Sequence, residues 1–351
     1  NKHGRRLLFD LHEPVVFQDC RVTAWPVDHS IPGACAYLIE HEGGTLVYSG
    51  DLRLHGRMGH VTADTVAKLA TFHPDALIIE GTNLRGSTGA STNSVFARSF
   101  TFWNERDVEA KALEETRQAG ALVIADFGMK DLDRLMTFQH VAHAAGRRLA
   151  ILPRDACIVR AVQEAGYSTI DLADPDLVLY IKRSKSGIYD AKDIDRDWAR
   201  AAIVRFAGYN PDAMDSTELR DATGNAVGGS CPRIVRAEDV ARDQSSYLLS
   251  LGYWDIQELC DLKPRPGSLY IHSSAEAFNE EMSWSQERLA RWLSLSGMDS
   301  VHIHASGHAS QEDLFHIVEE LSPIRIYPVH TEHAERYAEC FGAARVRMPS
   351  N

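Results

Sequence analysis

Five side chains in this sequence suit metal ligation or acid–base chemistry, and each follows a short apolar run: His29, Asp51, Glu80, His308 and His330. Zinc takes imidazole nitrogens and carboxylate oxygens, and a catalytic zinc keeps one position open. A carboxylate such as Asp51 can bridge two ions, as two-metal hydrolytic sites require. Open α/β folds gather such groups where strands end, because the strand end is rigid and the loop beyond it is wet. One such residue capping a strand is commonplace; five in one fold point to a shared site.

The stretch from Val301 to Leu314 adds a second kind of chemistry. It reads as a strand, a Ser306-Gly307-His308 turn and an amphipathic helix to about Leu321, with Ser310 as cap and Asp313 completing a partial capping box. Free backbone N–H groups at a helix start favour an anion, so Ser306, Gly307, Ala309 and Ser310 are candidates to hold a phosphate. Arg53, His55 and Arg57, just after Asp51, are placed to meet substrate. Lys182-Arg183-Ser184-Lys185 reads as a solvated loop, and Arg5-Arg6 and Arg147-Arg148 as surface charge. His302-Ile303-His304 reads as a strand with one face half-exposed. Trp103, Trp198, Trp254, Trp284 and Trp292 fall on helices or their edges and are assigned to the core.

These groups need elements to position them. Residues to about 95 are strand-rich: runs at 15–17, 21–27, 34–40 and 45–49, with His41-Glu42-Gly43-Gly44 as a hairpin turn between the last two. A helix near 62–71 precedes the strand 76–80. From Asn93 to about Gly297 helix and strand alternate, with helices near 104–119, 130–145, 155–165 and 284–295 and strands at 121–125, 148–152, 246–250 and 268–272. That alternation predicts a parallel sheet with helices on both faces. Residues 182–236 resist assignment. After 297 the strand-plus-histidine style of the first block returns, the pattern of one domain inserted in another.

Composition bounds the reading. The 351 residues can bury a large core; 44% are hydrophobic and 25% charged, ordinary for a globular protein. The apolar runs are too short to span a membrane, and the first residues do not form a signal peptide. Six scattered cysteines lack paired spacing, which fits reduced thiols in the cytoplasm. A net charge of −12 argues against indiscriminate nucleic-acid binding but leaves a local groove open.

Asp28-His29-Ser30-Ile31-Pro32-Gly33, Ser49-Gly50-Asp51, Glu80-Gly81-Thr82, Ser306-Gly307-His308-Ala309-Ser310 and Pro328-Val329-His330-Thr331-Glu332 occur in this order. The set resembles the β-CASP branch of the metallo-β-lactamase superfamily, which includes ribonuclease J and the pre-mRNA cleavage nuclease. The resemblance implies an α/β fold: an αββα sandwich formed by 1–96 and 298–351, with an inserted α/β β-CASP domain at 97–297. The active site is expected in the cleft between the two. It implies that His29 binds one zinc, Asp51 bridges two and His330 binds the second. Glu80 would pair with His308, which protonates the leaving oxygen while a hydroxide held between the ions attacks phosphorus. Histidine at the 330 position resembles the RNA-directed members.

The family's His-x-His-x-Asp-His signature is absent, since His302-Ile303-His304 lies elsewhere and lacks a following Asp-His. With the other ligands retained, the expectation is that this segment precedes Asn1 in the natural protein and that the present chain holds its two zinc ions poorly. The resulting reading is a metal-dependent phosphodiesterase acting on single-stranded RNA in the cytoplasm, without a membrane. Assembly with a second copy or a partner subunit stays open. Two rivals remain: a hydrolase of a small ester, thioester or lactone, and a metal-poor β-CASP scaffold subunit. RNA cleavage against an ester panel separates the first, and metal analysis the second.

Overall fold

The computed structural model describes residues 10–348 except 85–94, 97, 103, 167–169, 171–173, 183–233, 276, 278 and 279. Arg5-Arg6, Arg183 to Lys185, Trp103 and Trp198 therefore lie outside the described residues. The chain divides into two compact units, residues 1–92 with 306–351, and residues 93–305.

The first unit is built on a six-stranded sheet in the order β1-β2-β3-β4-β5-β14. Its strands are β1 (Pro14–Phe17), β2 (Cys20–Pro26), β3 (Cys35–His41), β4 (Gly44–Tyr48), β5 (Ala76–Ile79) and β14 (Arg325–Pro328). β1 to β4 form an antiparallel meander, and β4, β5 and β14 run parallel. His41 pairs with Gly44, so the β3–β4 hairpin closes on Glu42-Gly43. The period-2 alternation of the sequence sorts the sheet faces. Leu38, Val47, Leu77 and Ile326 stand in register and are buried against Val66 and Leu69 of α1 (Gly59–Ala70) and Leu314, Ile317 and Val318 of α8 (Gln311–Leu321). α9 (Glu335–Phe341) adds Tyr337 to this core. On the other face Tyr37, Ile39, Leu46 and Ile78 are half-buried and Tyr48 is exposed. The described residues of this unit contain one sheet, so of the expected sandwich they show one β-layer with its helices.

The second unit holds an eight-stranded parallel sheet, β10-β9-β8-β11-β7-β12-β13-β6. Its strands are β6 (Ser99–Phe102), β7 (Val123–Asp126), β8 (Arg148–Ile151), β9 (Leu177–Tyr180), β10 (Ile234–Val235), β11 (Tyr247–Ser250), β12 (Leu269–His272) and β13 (Asp299–Ala305). Every residue of β7, β9, β11 and β12 is buried, as strands covered on both faces must be. α2 (Glu105–Gln118), α3 (Leu132–Ala144) and α4 (Pro153–Glu164) supply one apolar layer. α5 (Ala237–Arg242), α6 (Leu259–Leu262) and α7 (Glu280–Leu295) supply the other. The strands near 45 and 123 lie in different sheets, as an inserted domain requires.

Four sequence expectations need correction here. β13 was expected in the closing part of the first unit, but it pairs with β12 and β6, so the chain changes unit at Ser306 rather than near 297. The outward face assigned to His302 is inside: the residue is 0% exposed, bonded to Ser99 and stacked on Phe96. Arg147 is buried rather than at the surface, because its guanidinium donates to the carbonyls of Ala119, Ala121 and Tyr247 at 2.6–3.2 Å. Trp254 and Trp284 are not core residues and stand 84% and 63% exposed. None of the described helices is long and apolar enough to cross a membrane. Cys20, Cys35, Cys260 and Cys340 are free thiols.

Candidate active site

The first unit brings four of the five strand-end residues together. β4 runs on into Asp51, β5 into Glu80, β14 into His330, and α8 starts just beyond His308. One ligand atom from each of Asp51, Glu80, His308 and His330 lies within 4.8 Å of all the others. Nδ1 of His308 is 2.8 Å from Oε2 of Glu80, and Nδ1 of His330 is 3.1 Å from Oδ1 of Asp51. Glu80 is buried and its carboxylate is aimed by the chain itself. The N–H of Leu52 donates to Oε1 at 2.8 Å and that of Thr82 to Oε2 at 3.4 Å. The Tyr337 hydroxyl donates to the Glu80 carbonyl at 2.6 Å. His330 takes a left-handed backbone, φ 49°, which is uncommon for a side-chain-bearing residue and turns its ring off the strand line.

His29 lies beside this group rather than in it. Its ring centroid is 4.9 Å from that of His308, and its Nδ1 sits 2.7 Å from the Gly307 carbonyl. A carbonyl only accepts, so that nitrogen carries the hydrogen and Nε2 is the acceptor, with the Ser30 hydroxyl 3.5 Å away. Burial pushes His29 below the ordinary histidine range, with the neighbouring His308 adding to it and the Gly307 bond opposing it. For His308 burial also disfavours charge, but the bond to Glu80 and the nearby Asp51 carboxylate outweigh it, and its pKa is raised.

Two carboxylates and two imidazoles this close fit zinc by donor type. Glu80 on Nδ1 of His308 is also the carboxylate–histidine pairing that orients metal-bound imidazoles. With Nδ1 engaged on both His308 and His330, Nε2 of each is the nitrogen left to face a metal.

The candidate anion loop is put together differently from the expectation. Ser310 does cap α8, accepting from the Asp313 N–H at 3.0 Å, while its own N–H donates to the Asp313 carboxylate at 3.4 Å. The His308 N–H donates to Ser306 Oγ at 3.1 Å and the Ala309 N–H to the Leu52 carbonyl at 2.6 Å. Two N–H groups expected to cradle phosphate, those of Ala309 and Ser310, are thus spent within the protein, and that of His308 with them. Gly307 allows close packing: a Cβ there would come within 2.8 Å of Ser30 Oγ. The residues expected to meet substrate after Asp51 also turn inward. Arg53 is buried and paired with Asp28 at 3.3 Å, and His55 Nε2 is 2.7 Å from the Ser306 carbonyl. Arg57 is half-buried and already engaged.

Sequence reasoning missed Asn83. Its side-chain N–H₂ donates to Ser306 Oγ at 2.9 Å, the His308 carbonyl at 2.8 Å and the Ala309 carbonyl at 3.1 Å. One amide thereby ties the turn after β5 to the loop that carries His308. The available signal was its place three residues after Glu80, at the same strand end.

Residues 298–349 match the family model of the Zn-dependent metallo-hydrolase RNA specificity domain. No curated protein sequence matches the chain. Among solved structures the fold is similar to a protein of unknown function from Enterococcus faecalis V583, with a TM-score of 0.68 at 18% sequence identity, covering 99% of this chain and 67% of that chain. The chain thus has a mixed α/β fold, and its segment 298–349 is similar to the RNA specificity domain of Zn-dependent metallo-hydrolases, a domain found in β-CASP nucleases.

Proposed function

We propose that this protein hydrolyses phosphodiester bonds in RNA, with Asp51, Glu80, His308 and His330 forming the reactive centre. The observation that carries this reading is the 2.8 Å Glu80–His308 pair inside a four-residue donor group. The RNA specificity match over 298–349 supports the substrate class. Asp51 and His330, the more open members, would hold zinc, which when bound would polarise the phosphoryl group and make water a better nucleophile. Glu80 fixes the His308 ring and keeps a proton on Nδ1. Its charge favours the imidazolium, so Nε2–H is available to the departing oxygen. Asn83 holds the backbone of His308 at the depth this requires.

His308 could instead ligate, since a carboxylate on Nδ1 serves a metal-bound imidazole equally well. Zinc content and RNA cleavage of His308→Ala and His330→Ala separate the two roles. The acid role predicts that His308→Ala keeps its zinc and loses cleavage of labelled single-stranded RNA by roughly a hundredfold or more. His330→Ala should lose zinc and activity together. Loss of zinc from His308→Ala would move His308 among the ligands. Hydrolysis of a chromogenic ester panel with RNA left intact would refute the substrate class.

A further inference from the structure

Two tryptophans of the second unit stand in water at one rim of its sheet. All eight strands are parallel, so every strand ends on the same edge. β11 stops at Ser250, and a 3₁₀ turn, Tyr253–Glu258, follows directly. β12 stops at His272, and α7 begins at Glu280. The 3₁₀ turn packs against α7. Trp254 is the second residue of the turn and Trp284 the fifth of α7, so both indoles leave the same rim on neighbouring elements.

Their exposure follows from how those elements dock. In the turn Tyr253 and Ile256 pack on the apolar core, and the Asp255 carboxylate pairs with Lys182. Trp254 is left pointing out. On α7 Leu289 and Leu293 face the core. At 100° per residue Trp284 lies about 140° from Leu289 and about 180° from Leu293. The same rotation sets Arg288, Arg291 and Leu295 within about 40° of Trp284, a stripe about 16 Å long on the solvent side, with Glu280 about 40° away one turn before it. Leu295 is 87% exposed. Arg288 makes no ion pair among the described residues, and Arg291 is 3.6 Å from Glu287 in an exposed i,i+4 pair of small worth. Glu280 and Glu281 sit in the first turn, where the helix dipole favours them.

We propose that Trp254, Trp284, Arg288 and Arg291 form a docking platform for single-stranded RNA, the indoles stacking on unpaired bases and the guanidiniums meeting phosphates. It rests on the RNA reading above and adds a second contact region on the other unit. Exposed indoles lose little conformational freedom on stacking, and base–aromatic stacking tolerates any sequence. The interleaved arginines complement a polyphosphate strand, as an apolar protein partner would not require. A duplex keeps its bases stacked on each other and offers them no face, which restricts the platform to unpaired strands.

The test is binding of oligoadenylate to the full chain in EDTA, where hydrolysis does not intervene, read by quenching of tryptophan fluorescence and by filter retention. Trp254→Ala and Trp284→Ala should each weaken binding about tenfold or more, the usual worth of one stacked base. Trp254→Phe and Trp284→Phe should recover most of it, and an abasic ribose-phosphate oligomer should bind the wild type weakly and all variants alike. Both sites are exposed, so unchanged near-ultraviolet circular dichroism of the core is expected. Full-strength binding by the double alanine variant overturns the platform, whether or not RNA is cleaved. A self-association lost in that variant, without RNA binding by the wild type, also overturns it and gives the indoles to a second copy. Binding through the indoles by a protein that cleaves no RNA leaves the platform standing and removes only the hydrolytic reading.

Discussion

Replacing His302 by glutamine should change how the second unit responds to acid more than it changes stability near neutrality. In the native protein the His302 Nε2–H donates to the Ser274 carbonyl at 2.9 Å, so Nδ1 accepts from the Ser99 hydroxyl at 2.8 Å. The neutral ring is satisfied. A proton on Nδ1 would reverse the Ser99 bond and place charge beside Arg134 and His272, with Phe96 and His304 stacked on the ring. Burial, with those neighbours adding to it and the Ser274 bond opposing, lowers the pKa from 6.5 to about 4. The depressed value means the unfolded chain takes the proton first. Stability is therefore full above about pH 6.5 and falls as the pH drops toward 4. At about 1.4 kcal/mol per pH unit the loss is about 3 kcal/mol in all, and about 2.5 kcal/mol of it is complete by pH 4.5. Glutamine can donate to Ser274 and accept from Ser99 without titrating. Urea unfolding of both proteins at pH 7.5 and 4.5 gives a difference of differences in which shared carboxylates cancel. The variant should lose about 2.5 kcal/mol less than wild type between those two pH values. Equal losses would show that His302 is not held neutral by its surroundings and refute the reasoning.

Arg134 and Glu105 form a fully buried ion pair, 2.9 Å apart, with the guanidinium also reaching the Ser273 hydroxyl and the Ala305 carbonyl. Arg134→Met should cost about 3–5 kcal/mol in urea unfolding, because it strands the Glu105 charge; a cost under about 1 kcal/mol would mean water reaches the carboxylate. Asn83→Ala removes the one amide that holds three acceptors of the His308 loop, so RNA cleavage should fall at least about tenfold while the circular dichroism spectrum is kept. Unchanged turnover would reduce Asn83 to a surface turn residue.

The secondary elements were legible wherever local chemistry decides them. The helices anticipated near 104–119 and 130–145 are Glu105–Gln118 and Leu132–Ala144, each capped by a side chain, Asn104 and Asp131. Ser310 announced α8 in the same way, and alternation announced β3 and β4. What the chain could not show was which sheet a buried strand joins. Val301 and Ile303 look alike whether their neighbour is β12 or β14, because partner choice is a long-range matter. Exposure was illegible for a related reason. Trp284 and Trp292 share one helix, yet the first faces water and the second is half-buried, and only the docking angle of α7 separates them. In the candidate site the residue types were readable and the bonding was not. Arg53 reads as a free cation until Asp28, far back in the chain, is seen to hold it.

The pairing of β5 with β14 has a consequence for how the protein is made. β5 ends at Ile79 and its parallel neighbour starts at Arg325, so the 245 residues between them, including the whole second unit, must leave the ribosome before that edge is filled. At about 5–20 residues per second the wait is roughly 10–50 s. Throughout it β5 presents an unpaired row of N–H and C=O groups, the template that other chains exploit in aggregation. Asp51 and Glu80 are likewise synthesised long before His308 and His330. The sheet edge and the reactive centre are thus completed by the same late segment, so a ribosome that stops before His308 releases an open edge and half a site together.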